Sequence, residues 1–127
     1  MRATLQQLPM MALAGFALQG EPATAQEKFK KLSGAEIQAK FRGMQFTDEV
    51  HWAEIYAPGG GLSVVEMGAK RTGTWRIQKD QLCTKYEKNG DESCMEVWIA
   101  GRKIEMRIPG STESSLEGVL ERPISRR

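Results

Sequence analysis

Few side chains of this chain have the chemistry to act on a substrate, and their spacing narrows the choice. Cys83 and Cys94 are its two cysteines and His51 its one histidine. The cysteines lack the C-x-x-C spacing that depresses a thiol pKa and makes a redox pair. Instead they flank Asn89-Gly90 at nearly equal distance. A hairpin turning there sets them opposite or diagonally opposite each other, and an even cysteine count suits a structural disulfide in an oxidising compartment. Two thiolates and His51 fall one ligand short of a tetrahedral zinc site, so no metal is expected. His51 with Asp48 or Glu54 is a conceivable acid–base pair, but no G-x-S-x-G, no H-E-x-x-H and no phosphate loop accompanies it. Pro58-Gly59-Gly60-Gly61 leads into a strand and so lacks the helix dipole that holds phosphate. Asp48-Glu49 and Asp91-Glu92 are sequence neighbours, which a strand sends to opposite faces. The expectation is a protein with no catalytic residues and no cofactor.

The aromatic residues are the more informative set. Trp52, Tyr56, Trp75, Tyr86 and Trp98 either fill a small barrel or line a cavity for an apolar or ring-bearing ligand. Trp52 and Tyr56 share a strand face with Glu54 between them, and Trp98 shares one with Cys94 and Glu96. Two binding surfaces are therefore open: a cavity lined by Trp75, Tyr86, Met95 and Val97, or an exposed patch at Trp52, Tyr56 and Trp98. Arg76 beside Trp75 either anchors an anionic group or points to water. The functional expectation is a non-enzymatic binding module for a small apolar ligand or an envelope protein. The alternative is an inhibitor or accessory factor of a secreted hydrolase, with a disulfide-tied hairpin at residues 85–91 as its insertion loop.

These residues must be positioned by a small set of elements. Ser33-Gly34-Ala35-Glu36 matches a capping box, which starts a helix of about ten residues whose apolar stripe is Ala35, Ile37, Ala39 and Phe41. Gly43 stands where a left-handed C-terminal cap is expected. Beyond it, aromatic and branched residues come in short runs separated by Gly, Pro, Asn and Asp, the pattern of an antiparallel meander. Eight strands are predicted, at residues 44–49, 51–57, 62–67, 73–78, 81–87, 93–100, 102–108 and 116–122. Alternation is clearest where Ile104, Met106 and Ile108 oppose Lys103, Glu105 and Arg107, as in a sheet with one wet face. Asn89-Gly90 is the strongest hairpin signal. Such a meander removes its edges by curling into a lipocalin-like up-and-down barrel, with the helix as a plug at one end; a two-sheet sandwich is the alternative.

The first residues read as an export signal. Arg2 precedes an apolar run of eleven residues from Leu8 to Leu18, followed by Ala23-Thr24-Ala25, a small-residue cleavage pattern that places the cut before Gln26. The run is too short to cross a bilayer, which takes roughly 20 residues, and no stable membrane anchor is expected after processing. The reading is thus a signal over residues 1–25 and one β-rich domain over 26–127, with a polar leader and a basic tail, in a bacterial periplasm or medium. The net charge is +2, with 18 basic and 16 acidic residues interleaved. Basic clusters at Arg122, Arg126 and Arg127 and at Lys30-Lys31 suit solvated ends better than a nucleic-acid track. A monomer is expected.

Leu32-Ser33-Gly34-Ala35-Glu36-Ile37, Tyr56-Ala57-Pro58-Gly59-Gly60, Gly73-Thr74-Trp75-Arg76-Ile77, Leu82-Cys83 and the later Cys94 together resemble a family of small secreted proteobacterial proteins of unknown function. That family shows an L-S-G-x-E-I helix start, a Y-x-P-x-G hairpin, a G-x-W-x-V-like strand, then L-C and a further Cys. Met95 departs from it, standing where an aromatic is usual. The resemblance implies the same small β-rich domain and a Cys83–Cys94 pairing, and no activity.

Overall fold

A computed structural model of the protein describes residues 28–123. The proposed signal, including Ala23, Ala25 and Gln26 at its cleavage site, lies outside the described residues, as do Arg126 and Arg127. The elements in chain order are β1 (Lys30–Lys31), α1 (Gly34–Phe41), β2 (Gln45–Thr47), β3 (Trp52–Tyr56), β4 (Gly61–Glu66), β5 (Ala69–Gln78), β6 (Gln81–Lys85), β7 (Ser93–Ala100), β8 (Lys103–Arg107) and β9 (Leu116–Glu121).

From β2 to β9 each strand pairs antiparallel with the next, and β9 returns to β2 through Gln45↔Glu121, Phe46↔Leu120 and Thr47↔Val119. Eight strands therefore close into an up-and-down barrel, which leaves the ring without an open edge. The expected barrel forms; the sandwich does not. The ninth strand, β1, was not foreseen, because two lysines carry no strand signal. It stands outside the ring. Residues 96–100 of β7 face β8 on one edge, while β6 covers only residues 93–95 on the other, and β1 takes up the remainder of that edge through Lys30↔Ile99 and Lys31↔Trp98.

Inward positions follow the period of two. Leu62 and Val64 are buried while Gly61, Ser63 and Val65 are exposed, and Ile104 and Met106 are buried between Lys103, Glu105 and Arg107. Ile108, predicted to extend the last of these rows, lies past the end of β8 and is exposed. Two-residue loops form at Lys79-Asp80 and at Gly101-Arg102, and a third lies where no turn residue pair announces it. Glu66↔Ala69 closes a two-residue loop at Met67-Gly68 with positive φ at both residues, 49° and 83°, the left-handed backbone conformation by which two-residue hairpins match the right-handed twist of their strands. Met67 gives no sequence sign of this, so β5 starts four residues before the predicted Gly73. Asn89-Gly90 does lie in the hairpin between β6 and β7. There, however, the Gly90 amide donates to the Glu87 carbonyl at 3.0 Å in a longer connection, and Gly90 does not take a positive φ.

The helix begins as predicted. Ser33 Oγ accepts from the Glu36 amide at 3.2 Å and Glu36 Oε1 accepts from the Ser33 amide at 3.1 Å, and Gly43 has φ 75°. Its buried face is Gly34, Ile37 and Phe41, while Ala35 and Ala39 are exposed. Helical spacing of three and four residues selects that face over the alternate residues. Gly34 is the docking point: its amide donates to Asp80 Oδ1 at 2.7 Å, and a Cβ there would lie 2.3 Å from the Lys79 carbonyl oxygen. At the other end of α1 the Phe41 ring stands edge-on to Tyr56 at 5.1 Å and to Phe46 at 6.2 Å. The helix thus closes the barrel end that carries the β3–β4, β5–β6 and β7–β8 turns.

Candidate functional site

The opposite end of the barrel holds a hollow of about 230 Å³ lined by Trp52, Glu54, Val64, Glu66, Arg71, Tyr86 and Leu116. Register explains how residues distant in sequence meet there. Glu54 pairs across β3–β4 with Val64, and Val64 across β4–β5 with Arg71, so the three form one row on one face, since directly opposite residues point the same way. Trp52 is likewise opposite Glu66. Tyr86 follows the end of β6, its ring beneath the Arg71 guanidinium with 5.7 Å between them.

Trp52 is held from below and above. Its ring meets Phe46 edge-on at 4.9 Å, its carbonyl accepts from Thr47 Oγ1 at 2.6 Å, and its amide donates to Asp48 Oδ1 at 3.0 Å. Asp48 is the organiser of this turn, accepting also from the amides of Val50 and His51 and standing 2.8 Å from the His51 ring. Its desolvation is outweighed by these donors, which hold its carboxyl below the usual range. The Asp48–His51 pair therefore fixes an exposed turn, and it does not meet Glu54 in a shared cleft.

Glu54 is the chemically unusual member of the hollow. It is 4% exposed, in a hollow it shares with rings, aliphatic groups and the Arg71–Glu66 ion pair. Tyr56, fully buried beneath it, donates its hydroxyl at 2.7 Å. Burial pushes the Glu54 carboxyl above its ordinary value, against the lowering effect of the Tyr86 and Tyr56 hydroxyls and the Arg71 charge. Burial and the nearby carboxylate push both phenols up as well, so the two tyrosines stand as hydrogen-bond donors. Arg71 is shared: its Nη2 donates to Glu66 Oε2 at 2.8 Å at the rim. Two carboxylates thus face one guanidinium between an indole and a phenol ring.

A testable consequence follows from Glu54. An acid whose folded pKa is raised contributes stability fully below its unfolded pKa, and that contribution is lost as pH rises through the folded pKa. Wild-type stability relative to Glu54→Gln should therefore fall as pH rises above the ordinary carboxylate range and through the raised Glu54 titration, the opposite of the usual carboxylate trend. Urea unfolding of both proteins across that interval measures it, and a difference independent of pH would show that Glu54 titrates alike in both states.

The sequence-predicted residues separate into three groups. Trp52 and Tyr86 line the hollow, and Tyr56 lies buried beneath it, bonded to Glu54. Trp75 lies deeper, 5% exposed, edge-on to Tyr56 at 5.5 Å, with its indole N–H donating to the Ala57 carbonyl at 2.9 Å. Met95 and Val97 do not line the hollow; of the cavity set predicted from sequence, Tyr86 alone does. The predicted patch of Trp52, Tyr56 and Trp98 does not form, because Trp52 and Tyr56 point inward while Trp98 is on the outer face. There Arg107 stacks 4.2 Å above the Trp98 ring, the indole N–H donates to Glu96 at 3.2 Å, and Lys31 of β1 pairs with Glu96 at 3.2 Å. Arg76 is also outside, forked onto Glu92 and bonded to Gln78.

Cys83 and Cys94 are direct cross-strand partners and form a disulfide spanning eleven positions. Glu92 stands beside the two sulfurs, but sulfurs bonded to each other offer no thiolate to a metal. Sequence reasoning missed Arg71, Glu66, Val64 and Leu116, the first because the strand signal of β5 begins only at Gly73 whereas the strand starts at Ala69. The signal for Glu54 was present: a carboxylate at the centre of an aromatic strand face. Among the described residues no helix is long and apolar enough to cross a membrane. No family model, no curated protein and no solved structure matches this chain.

Proposed function

We propose that this protein is an exported, non-enzymatic binding module whose barrel mouth takes a small, ring-bearing or apolar molecule carrying a hydrogen-bond donor. One observation carries the reading: the buried Glu54 carboxylate lies in a hollow of rings and aliphatic groups with the Arg71–Glu66 ion pair at its rim. A carboxylate kept in such a place is costly unless hydrogen-bonded. It supplies the sparse, oriented polarity by which small-molecule sites fix a ligand. Trp52 and Tyr86 offer ring faces, Val64 and Leu116 aliphatic contact. At about 230 Å³ the hollow is smaller than the 300–1,000 Å³ usual for drug-sized ligands, so the ligand is a compact one.

The Cys83–Cys94 disulfide is compatible with an oxidising compartment, and with the Arg2 to Ala25 signal pattern it supports a periplasmic or secreted location. Likeness to the small secreted proteobacterial family rests on the same motifs. A monomer that engages no nucleic acid completes the proposal.

The test is an NMR titration of the disulfide-bonded protein with indole, benzyl alcohol and benzylamine, following the Val64 and Leu116 methyl groups. Saturable shifts are expected, strongest for a donor-bearing ring, and lost in Leu116→Trp, which fills the mouth from its rim. Unmoved methyls across the panel would refute the mouth as a ligand site. Specific capture of a hydrolase through residues 85–91 would replace this reading with the inhibitor alternative.

A further inference from the structure

A second concavity, of about 380 Å³, lies at the helix end of the barrel between the last turn of α1, the entry to β2, the β7–β8 turn and the end of β9. Its floor is Met44, Ile99 and Leu120, all partly buried. Leu120 is opposite the buried Phe46, and Ile99 opposite the buried Ile104, so both belong to the barrel's inner face. The groove is therefore a seam that α1 leaves unsealed beside itself. Its rim is Lys40, Arg42, Arg102 and Arg122, all exposed, and no acidic residue lines it. Arg102 reaches Glu121 at 3.4 Å, and Lys40 lies within the field of Glu36 on its own helix.

We propose that this groove binds a free single-chain alkyl carboxylate, its hydrocarbon on Met44, Ile99 and Leu120 and its head group among Arg42, Arg122 and Lys40. Elsewhere on this surface cations alternate with acids, as in the Arg71–Glu66, Arg76–Glu92 and Arg107–Glu105 pairs. Four cations around an apolar floor without a lining acid make a local complement to an anion with an apolar stem. Guanidinium groups match a carboxylate in fork geometry. Each methylene taken out of water strengthens binding by about fourfold at most, so chain length should matter until the floor is covered. A bilayer is the wrong occupant. The apolar side chains here are recessed, whereas those that protrude, Val50 and Met67, stand at the opposite end of the barrel.

The test is an amide NMR titration of the disulfide-bonded protein at low salt with decanoate below its critical micelle concentration. Hexanoate, decyltrimethylammonium, inorganic phosphate and phosphatidylglycerol vesicles serve as parallel arms. Decanoate should give saturable shifts at Ile99, Arg102 and Leu120, with hexanoate at least about tenfold weaker and decyltrimethylammonium silent. The double variant Arg42→Glu/Arg122→Glu should weaken decanoate binding by about tenfold without changing the unfolding midpoint. Arg122→Gln alone, remote from the helix, should weaken it by a smaller factor. Equal binding of the cationic amphiphile or of phosphate, binding to vesicles alone, or undiminished affinity in both variants would overturn the proposal.

Discussion

Opening the Cys83–Cys94 bridge is expected to lower the stability of this protein by about 3 kcal/mol in the chain-entropy description of a short closed loop. That is a factor of more than about 100 in the folding equilibrium. The bond joins directly paired residues of β6 and β7, so the reduced chain can hold the same hairpin, and the loss acts mainly through the greater freedom of the unfolded state. An ion pair from Arg76 of β5 to Glu92, just before β7, remains beside the bridge, but an exposed pair contributes only about 0–1 kcal/mol. Comparing urea unfolding of the oxidised protein with that of Cys83→Ser/Cys94→Ser should show the midpoint fall with little change in the barrel's spectrum. A variant as stable as the parent would mean that the strand pairing already restricts the unfolded loop.

The largest effect of a single substitution is expected at Tyr56. Its ring is fully buried and meets Phe41 of the helix plug on one side and Trp75 on the other, at 5.1 and 5.5 Å. Removing it in Tyr56→Ala takes away one of the plug's ring contacts with the barrel and leaves a cavity, for which about 3–5 kcal/mol is the usual cost of truncating a buried aromatic ring. That is a large part of the 5–15 kcal/mol available to a domain. Tyr56→Phe isolates the hydroxyl: Glu54 loses its 2.7 Å donor, and a buried carboxylate short of a donor costs about 1–3 kcal/mol. Because a donated hydrogen bond favours the ionised carboxylate over the protonated acid, the Tyr56→Phe loss should grow as pH rises through the Glu54 titration. A double-mutant cycle of Tyr56→Phe with Glu54→Gln measures the coupling, and additive effects would remove the hydroxyl from the account of the mouth.

How much of this could be read from residue order follows from which interactions are local. The capping box at Ser33 and Glu36 and the left-handed Gly43 depend on neighbours within four positions, and both are present. Strand alternation depends on period two, and it correctly assigned Ile104 and Met106 to the interior. The failures lie where a partner far along the chain decides. Met67-Gly68 turns tightly because β4 and β5 pair up to Glu66↔Ala69, a constraint no turn residue announces. Lys30-Lys31 becomes a strand because β6 leaves part of the β7 edge uncovered. Trp52 and Tyr56 leave the predicted patch because ring closure turns their strand face inward, while Trp98 stays on the outer face beside Arg107.

Amino-acid order alone determined the meander, the single helix and the closeness of the two cysteines, because alternation, capping and hairpin symmetry are properties of neighbouring residues. Tertiary structure decided where function can reside. Closure of β9 onto β2 made one face an interior, which put Trp52 and Tyr56 inside and set Glu54 in a row with Val64 and Arg71. Docking of α1 through Gly34 and Phe41 sealed one end incompletely and left an apolar seam ringed by cations. Both sites are made of residues that meet only when strands are in register, and register is fixed by burial of the whole inner face rather than by any short stretch of chain.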